Sequence, residues 1–357
     1  MSLASRSFEG QTATLGVDEL RHLAIPNDSV FASIAIRDGH ELSVVVVPPG
    51  KRPCVNEVVI STEAVTAGSS SHEPINWAEL ADEINLWAPY WAKQEQLPIP
   101  WHAPFIELGK GLIREAIRTS ARCKTIYFAM DECLRGLPWQ HLFGVRLKQF
   151  TDDLRLQLGI SDAYPPLLIC HVPSAYHFCT AMRQRKPLKQ MDRVRATWEI
   201  DDSDPKLVAL AASIRQAREG QSINRAVKIT TILAHGLRSS EMVEIVFDGK
   251  KSDRSELLNK CSAGDLALFH VCNAGFFSQA LRGDLGGLPG MLISFGVKVV
   301  VAPVAPVAIS VVRKFEQYIS TWLGDPNKTF PEMYADAVLK YPAISLYSLF
   351  GDPDGLT

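Results

Sequence analysis

Five short apolar runs, spaced by segments of helical pattern, limit what this chain can fold into. Thr125 to Met130, Leu167 to Val172, Ile229 to Ala234, Leu266 to Val271 and Val297 to Val301 are apolar with little alternation. That is the pattern of strands covered on both faces. Strands of this kind alternating with helices predict an α/β fold with a mostly parallel sheet flanked by helices. With 357 residues, 46% of them hydrophobic, the chain can bury one large core or two ordinary ones.

Upstream of these runs the pattern differs. Val30 to Val47 holds two β-rich stretches around Arg37-Asp38-Gly39-His40, an Asp-Gly turn that predicts an N-terminal β-hairpin. Asn76 is placed to cap a helix carrying Trp77, Leu80, Ile84, Trp87 and Trp91. Pro98, Pro100 and Pro104 then interrupt the chain before a second helix from Phe105 to Ala121. Trp77, Trp87, Trp91 and Trp101 are expected to pack in the core or between domains. The basic stretch from Arg183 to Arg195 reads as an exposed connecting loop, which divides the chain into residues 1–190 and 191–357.

Charge points to no anionic partner: 37 Lys and Arg stand against 39 Asp and Glu, for a net charge of −2. Neither nucleic acid nor a membrane surface is therefore expected as the main partner. The first residues lack the apolar stretch of a secretory signal, and no run approaches the roughly 18 apolar residues of a membrane span. A cytoplasmic protein is expected. The 7 cysteines, at 54, 123, 133, 170, 179, 261 and 272, contain no Cys-x-x-Cys pair and read mostly as buried thiols in a reducing compartment.

Two of the apolar runs end on reactive groups. Ile229 to Ala234 runs into His235-Gly236, and Leu266 to Val271 runs into Cys272-Asn273-Ala274-Gly275. Imidazole and thiol are the groups that nucleophilic acyl transfer requires, and open α/β sheets build their sites at carboxyl ends of strands. The separation of 37 residues between His235 and Cys272 suffices for a loop, a hairpin around Phe247-Asp248-Gly249-Lys250 and a crossover helix from Ser252 to Lys260. His270 is a competing base, but its place within the strand marks it as a core histidine. Other chemistry lacks support. No Gly-x-Ser-x-Gly occurs, and Gly249-Lys250-Lys251-Ser252 imitates the end of a P-loop while Glu244 stands where its first glycine belongs. Arg282-Gly283-Asp284 reads as a loop leading into a helix from Leu288 to Phe295.

Five segments, in order, resemble the CHAT family of caspase-like cysteine peptidases. They are Asp131-Glu132-Cys133-Leu134-Arg135-Gly136-Leu137-Pro138-Trp139, Val172-Pro173-Ser174, Ala234-His235-Gly236, Val271-Cys272-Asn273-Ala274-Gly275 and Leu349-Phe350-Gly351-Asp352-Pro353. Each is short, and their order and spacing carry the match. It spans the chain from Val30 onward and leaves no room for the tetratricopeptide repeats that accompany many family members.

The resemblance implies a cysteine endopeptidase with Cys272 as nucleophile, His235 as proton carrier and the Gly236 and Cys272 N–H groups facing the oxyanion. It calls for no cofactor and no metal. It also implies a protein substrate, such as a pore-forming or signalling effector in bacterial defence or regulated cell death, and a first half resembling a degenerate protease unit. The alternative is a catalytically silent scaffold. The sequence departs from the family after the fifth core strand, where a tryptophan and acids are common. Here Ala305, Ala308 and Ile309 stand in those places. A neutral, apolar substrate residue before the scissile bond is expected, since an apolar pocket gains little from desolvating lysine or arginine. Asp131 and Asp284 are the acids that could enter such a pocket from elsewhere.

Overall fold

The computed structural model describes residues 2–6, 12–16, 25–37, 41–48, 56–60, 76–77, 79–81, 103–130, 134, 136–160, 164–173, 178, 195–219, 227–238, 243–247, 249–252, 254–261, 264–275 and 287–356. Strands β1 (Ser2–Arg6) and β2 (Thr12–Gly16) pair as an N-terminal hairpin. The central sheet takes β3 (Ser29–Arg37), β4 (Glu41–Val47), β5 (Asn56–Ile60), β6 (Thr125–Met130), β7 (Leu168–His171), β8 (Arg195–Ile200) and β9 (Lys228–Leu233). A side sheet of β10 (His235–Arg238), β11 (Val243–Phe247) and β12 (Lys250–Lys251) follows, and then β13 (Leu266–His270), β14 (Val299–Pro303) and β15 (Tyr347–Gly351) complete the main sheet.

Ten strands lie in the order β5-β4-β3-β6-β7-β15-β14-β13-β9-β8. The β5/β4, β4/β3 and β15/β14 pairs are antiparallel and the other pairs parallel. This is the mostly parallel sheet that the apolar runs predict. It is continuous across the chain: β7, from the first half, pairs with β15, from the second.

Helices cover both faces: α1 (Ala103–Thr119), α2 (Lys148–Gln157), α3 (Pro205–Glu219), α4 (Arg254–Cys261), α5 (Gly287–Ser294), α6 (Ile309–Gly324) and α7 (Phe330–Lys340). The alternation of side chains along each strand assigns the faces. In β13, Leu266 and Leu268 join a core with Phe315, Ile319 and Trp322 of α6. Ala267 and Phe269 point the other way, to Leu257 and Leu258 of α4 and Leu292 of α5. In β6, Ile126 and Phe128 pack with Leu108, Leu112 and Ile113 of α1 and with Trp139 and Phe143. Strands buried on both sides have no polar face to alternate, hence their uniform composition.

The hairpin expected over Val30 to Val47 is the β3/β4 pair, with Arg37 opposite Glu41; its turn residues lie outside the described set. Trp77 is fully buried, whereas Trp87, Trp91 and Trp101 fall outside the described residues. So do the boundary near residue 190 and the basic stretch, apart from Arg195, which opens β8 rather than ending a loop. Between β9 and β13 the chain makes the β10–β12 excursion and then crosses through α4, as the 37-residue spacing implies.

Candidate active site

The site is built from the ends of three neighbouring parallel strands, β8, β9 and β13. The last register pair of β13 and β9 is His270 opposite Leu233. Cys272 and His235 each lie two residues further on, so adjacent strand ends carry them side by side. Gly236 shows how closely they approach: a Cβ there would fall well inside contact distance of the Cys272 carbonyl oxygen. Only glycine lets the His235 segment lie against the Cys272 backbone.

A tight turn presents the cysteine. The Ala274 N–H donates to the Val271 carbonyl at 3.1 Å, and Asn273 adopts φ 61°, a left-handed conformation that asparagine tolerates better than most residues. Backbone bonds fix this turn to the end of β14: Asn273 N–H to Ala305 O at 3.5 Å and Gly275 N–H to Pro303 O at 2.9 Å. Gly275 is required by proximity, since a Cβ there would lie 2.8 Å from the Ala302 oxygen. The Cys272 N–H has no acceptor among the described residues, so it is available to an incoming oxyanion.

His235 is 56% exposed, and its Nε2 lies 3.0 Å from Asp204 Oδ2. Asp204 follows β8 and caps α3: its carbonyl accepts from Val208 N–H at 3.0 Å, and its Oδ1 accepts from Lys206 N–H at 2.7 Å. Its carboxyl is held below the usual range, chiefly by the Lys206 N–H and, against some burial, by the His235 ring. A carboxylate can only accept here, so Nε2 carries a proton, and in the neutral imidazole Nδ1 keeps its lone pair. The ring's free nitrogen is then the one able to take a proton from a thiol.

Asp204 is the part of the candidate site that the strand-end reading of the sequence misses. Its signal is local: an aspartate directly before Pro205 marks a helix N-cap followed by proline at the first helical position. Nothing along the chain shows that the loop after β8 meets the loop after β9.

Among the described cysteines, Cys272 alone is partly exposed; Cys123, Cys170 and Cys261 are buried. Burial pushes the Cys123 and Cys261 thiols up to about 12, and the Cys170 thiol well above its ordinary value. These three are structural thiols. His270 is a core residue, with both ring nitrogens engaged by Tyr347 and Glu316.

The pocket residues divide. Ala305 is fully buried within the core beside Val307 and Leu346, and its carbonyl holds Asn273. Ala308 is exposed just ahead of α6. Asp131 and Asp284 lie outside the described residues. Those described residues contain no cluster of His, Cys, Asp and Glu able to hold a metal ion, and no helix long and apolar enough to cross a membrane.

No protein-family model matches the chain, and no curated protein matches it. Among solved structures, the chain is similar to the complex of Porphyromonas gingivalis RgpB pro- and mature domains, at 11% identity and a TM-score of 0.38, over 78% of this chain and 77% of that one.

Proposed function

We propose that this chain is a cysteine endopeptidase of the caspase-like, CHAT type, working through Cys272 and His235 with Asp204 holding the imidazole. The observation that supports it most is the convergence of three strand ends: a partly exposed thiol in a pinned turn, a histidine beside it, and a carboxylate 3.0 Å from that histidine's far nitrogen. Nucleophile, base and orienting group are the three parts that acyl transfer needs.

In this reading Cys272 Sγ attacks the peptide carbonyl carbon while its proton passes to His235 Nδ1. The carbonyl oxygen becomes an oxyanion facing the Cys272 and Gly236 N–H groups. As the C–N bond breaks, His235 returns the proton to the leaving amine, and the acyl group stays on sulfur as a thioester. Water then attacks the thioester carbonyl and gives a proton to His235, which reprotonates the departing thiolate. Acid and thiol are restored.

The segment from Val304 to Ile309 carries no ionisable side chain, which supports a neutral, apolar residue on the acyl side of the cleaved bond. By the family resemblance, the substrate is a protein partner in the cytoplasm, of the pore-forming or signalling kind found in bacterial defence. The experiment is cleavage profiling on a peptide library alongside labelling with an acyloxymethyl ketone probe. The wild type should cleave and label at Cys272, and Cys272→Ala and His235→Ala should each abolish cleavage while remaining folded. Full activity in either variant would rule out the assignment, and strict cutting after Arg or Lys would overturn the apolar pocket. Folded protein with neither cleavage nor selective labelling would identify a scaffold.

A further inference from the structure

Directly beneath the site, a chain of charged and polar side chains runs through the core. His270 lies two residues before Cys272 and shares the parity of Leu266 and Leu268, so it points towards α6. Its Nδ1 lies 2.9 Å from the Tyr347 hydroxyl and its Nε2 lies 2.6 Å from Glu316 Oε1. Glu316 in turn accepts from Arg218: Nη2 reaches Oε2 at 2.7 Å and Oε1 at 2.9 Å, and Nε reaches Oε2 at 3.2 Å. Arg218 Nη1 also donates to Thr231 Oγ1 at 3.2 Å, and its guanidinium lies 4.6 Å from the Trp198 ring centroid. His270, Glu316, Arg218 and Tyr347 are all buried.

The chain touches each support of the site. His270 is on β13, which carries Cys272. Tyr347 is opposite Pro303, whose carbonyl anchors the nucleophile turn through Gly275. Thr231 is on β9, which leads to His235. Arg218 is near the C-terminal end of α3, the helix whose N-cap is Asp204. One end of α3 therefore orients His235, while about 20 Å along the helix the other end is gripped by the buried chain.

Stability alone is a poor reason for such an arrangement, because well-packed apolar residues in place of a buried ion pair are often neutral or stabilising. Hydrogen-bonded charges do supply a fixed geometry. In the neutral imidazole, Tyr347 donates to Nδ1 and the Nε2 proton goes to Glu316, so the ring has one orientation. We propose that Tyr347, His270, Glu316 and Arg218 form a positioning unit that sets the register of Cys272 against His235, acting through β13 and through α3. This inference rests on the cysteine-peptidase reading, and the two can be tested apart.

The test compares wild type with Tyr347→Phe, which removes one hydroxyl, and with the triple variant Arg218→Met, Glu316→Leu, His270→Gln, which removes the charges together. Two rates are measured well below the unfolding temperature: peptide cleavage, and alkylation of Cys272 by iodoacetamide across pH, which needs no substrate. Tyr347→Phe should slow both on the order of 10- to 100-fold, the scale of a small misplacement, with KM unchanged. The folded triple variant should be at least as slow. A merely structural role would lower the unfolding temperature and leave the rate and pH profile of alkylation at wild-type values, and that result overturns the inference while leaving the peptidase reading intact. Selective labelling without cleavage of any peptide removes the peptidase reading but still reports on Cys272 positioning. A wild-type Cys272 that does not label selectively overturns both.

Discussion

Gly236 and Asp204 do opposite jobs at the same histidine, one by having no side chain and the other by having a charged one. At Gly236 the obstacle to a side chain is the Cys272 carbonyl, a backbone atom that cannot rotate aside. Gly236→Ala should therefore separate the two strand ends, with a loss of kcat on the order of 100-fold or more, comparable to losing an oxyanion donor. A variant that cleaves at the wild-type rate would show that the close approach is dispensable. At Asp204, the change to Asn keeps the size and the cap on α3 but gives up the charge facing Nε2. Turnover should fall roughly 10- to 100-fold with little change in KM, as expected when proton transfer is misdirected. Unfolding temperature is the control, since asparagine caps helices about as well as aspartate. The places of His235 and Cys272 at adjacent strand ends are legible because each follows an apolar run. The contact of Asp204 with His235 is not, because it depends on a meeting of two loops that no spacing rule encodes.

At the scale of elements, legibility followed burial. β6 spans Thr125–Met130 as the run of apolar residues implies, and α1 starts and stops within two residues of the stretch expected from Phe105 to Ala121. β8 and β15 are not evident as strands in the sequence. β8 is an edge strand whose sequence, Arg195-Ala196-Thr197-Trp198-Glu199-Ile200, mixes charge with apolar residues, because only one of its edges is paired. In the sequence, residues 349–351 stand out as part of a motif, although the strand Tyr347–Gly351 is among the most buried in the sheet. Helix α7 carries a capping signal that is local and complete: Thr329 Oγ1 accepts from Glu332 N–H, Glu332 accepts from Thr329 N–H, and Pro331 sits in the first turn. Thr329→Ala should cost about 1 kcal/mol of stability by denaturant titration and leave peptide cleavage unchanged. A cost near zero would mean that tertiary packing of Phe330 and Met333 sets the start of the helix.

For the whole molecule, the buried chain beneath the site ties stability to pH. Burial alone would push the Glu316 carboxyl up, but the Arg218 guanidinium and the His270 ring together outweigh it and hold the group down at about 2 instead of its ordinary 4.5. Because the folded value is the lower one, the contribution is fully present above the ordinary value and is lost as pH falls through the folded value. Unfolding free energy should therefore decline as pH drops from about 4.5 towards about 2. In Glu316→Gln that limb should flatten, while stability at neutral pH should fall because Arg218 is left buried without its counter-charge. Equal acid slopes in the two proteins would show that other carboxylates dominate.

The position of β15 has a consequence for synthesis. It follows every other strand of the sheet along the chain, yet it sits in the middle of the sheet, between β7 and β14. A ribosome will have translated Cys272, His235 and Asp204 well before the strand that closes the sheet beside them has emerged. Pairing across so long a stretch of chain is intrinsically slow to form. The nascent chain thus carries Cys272, His235 and Asp204 before it has the scaffold that aligns them, and the candidate site is assembled only once translation has passed the seam.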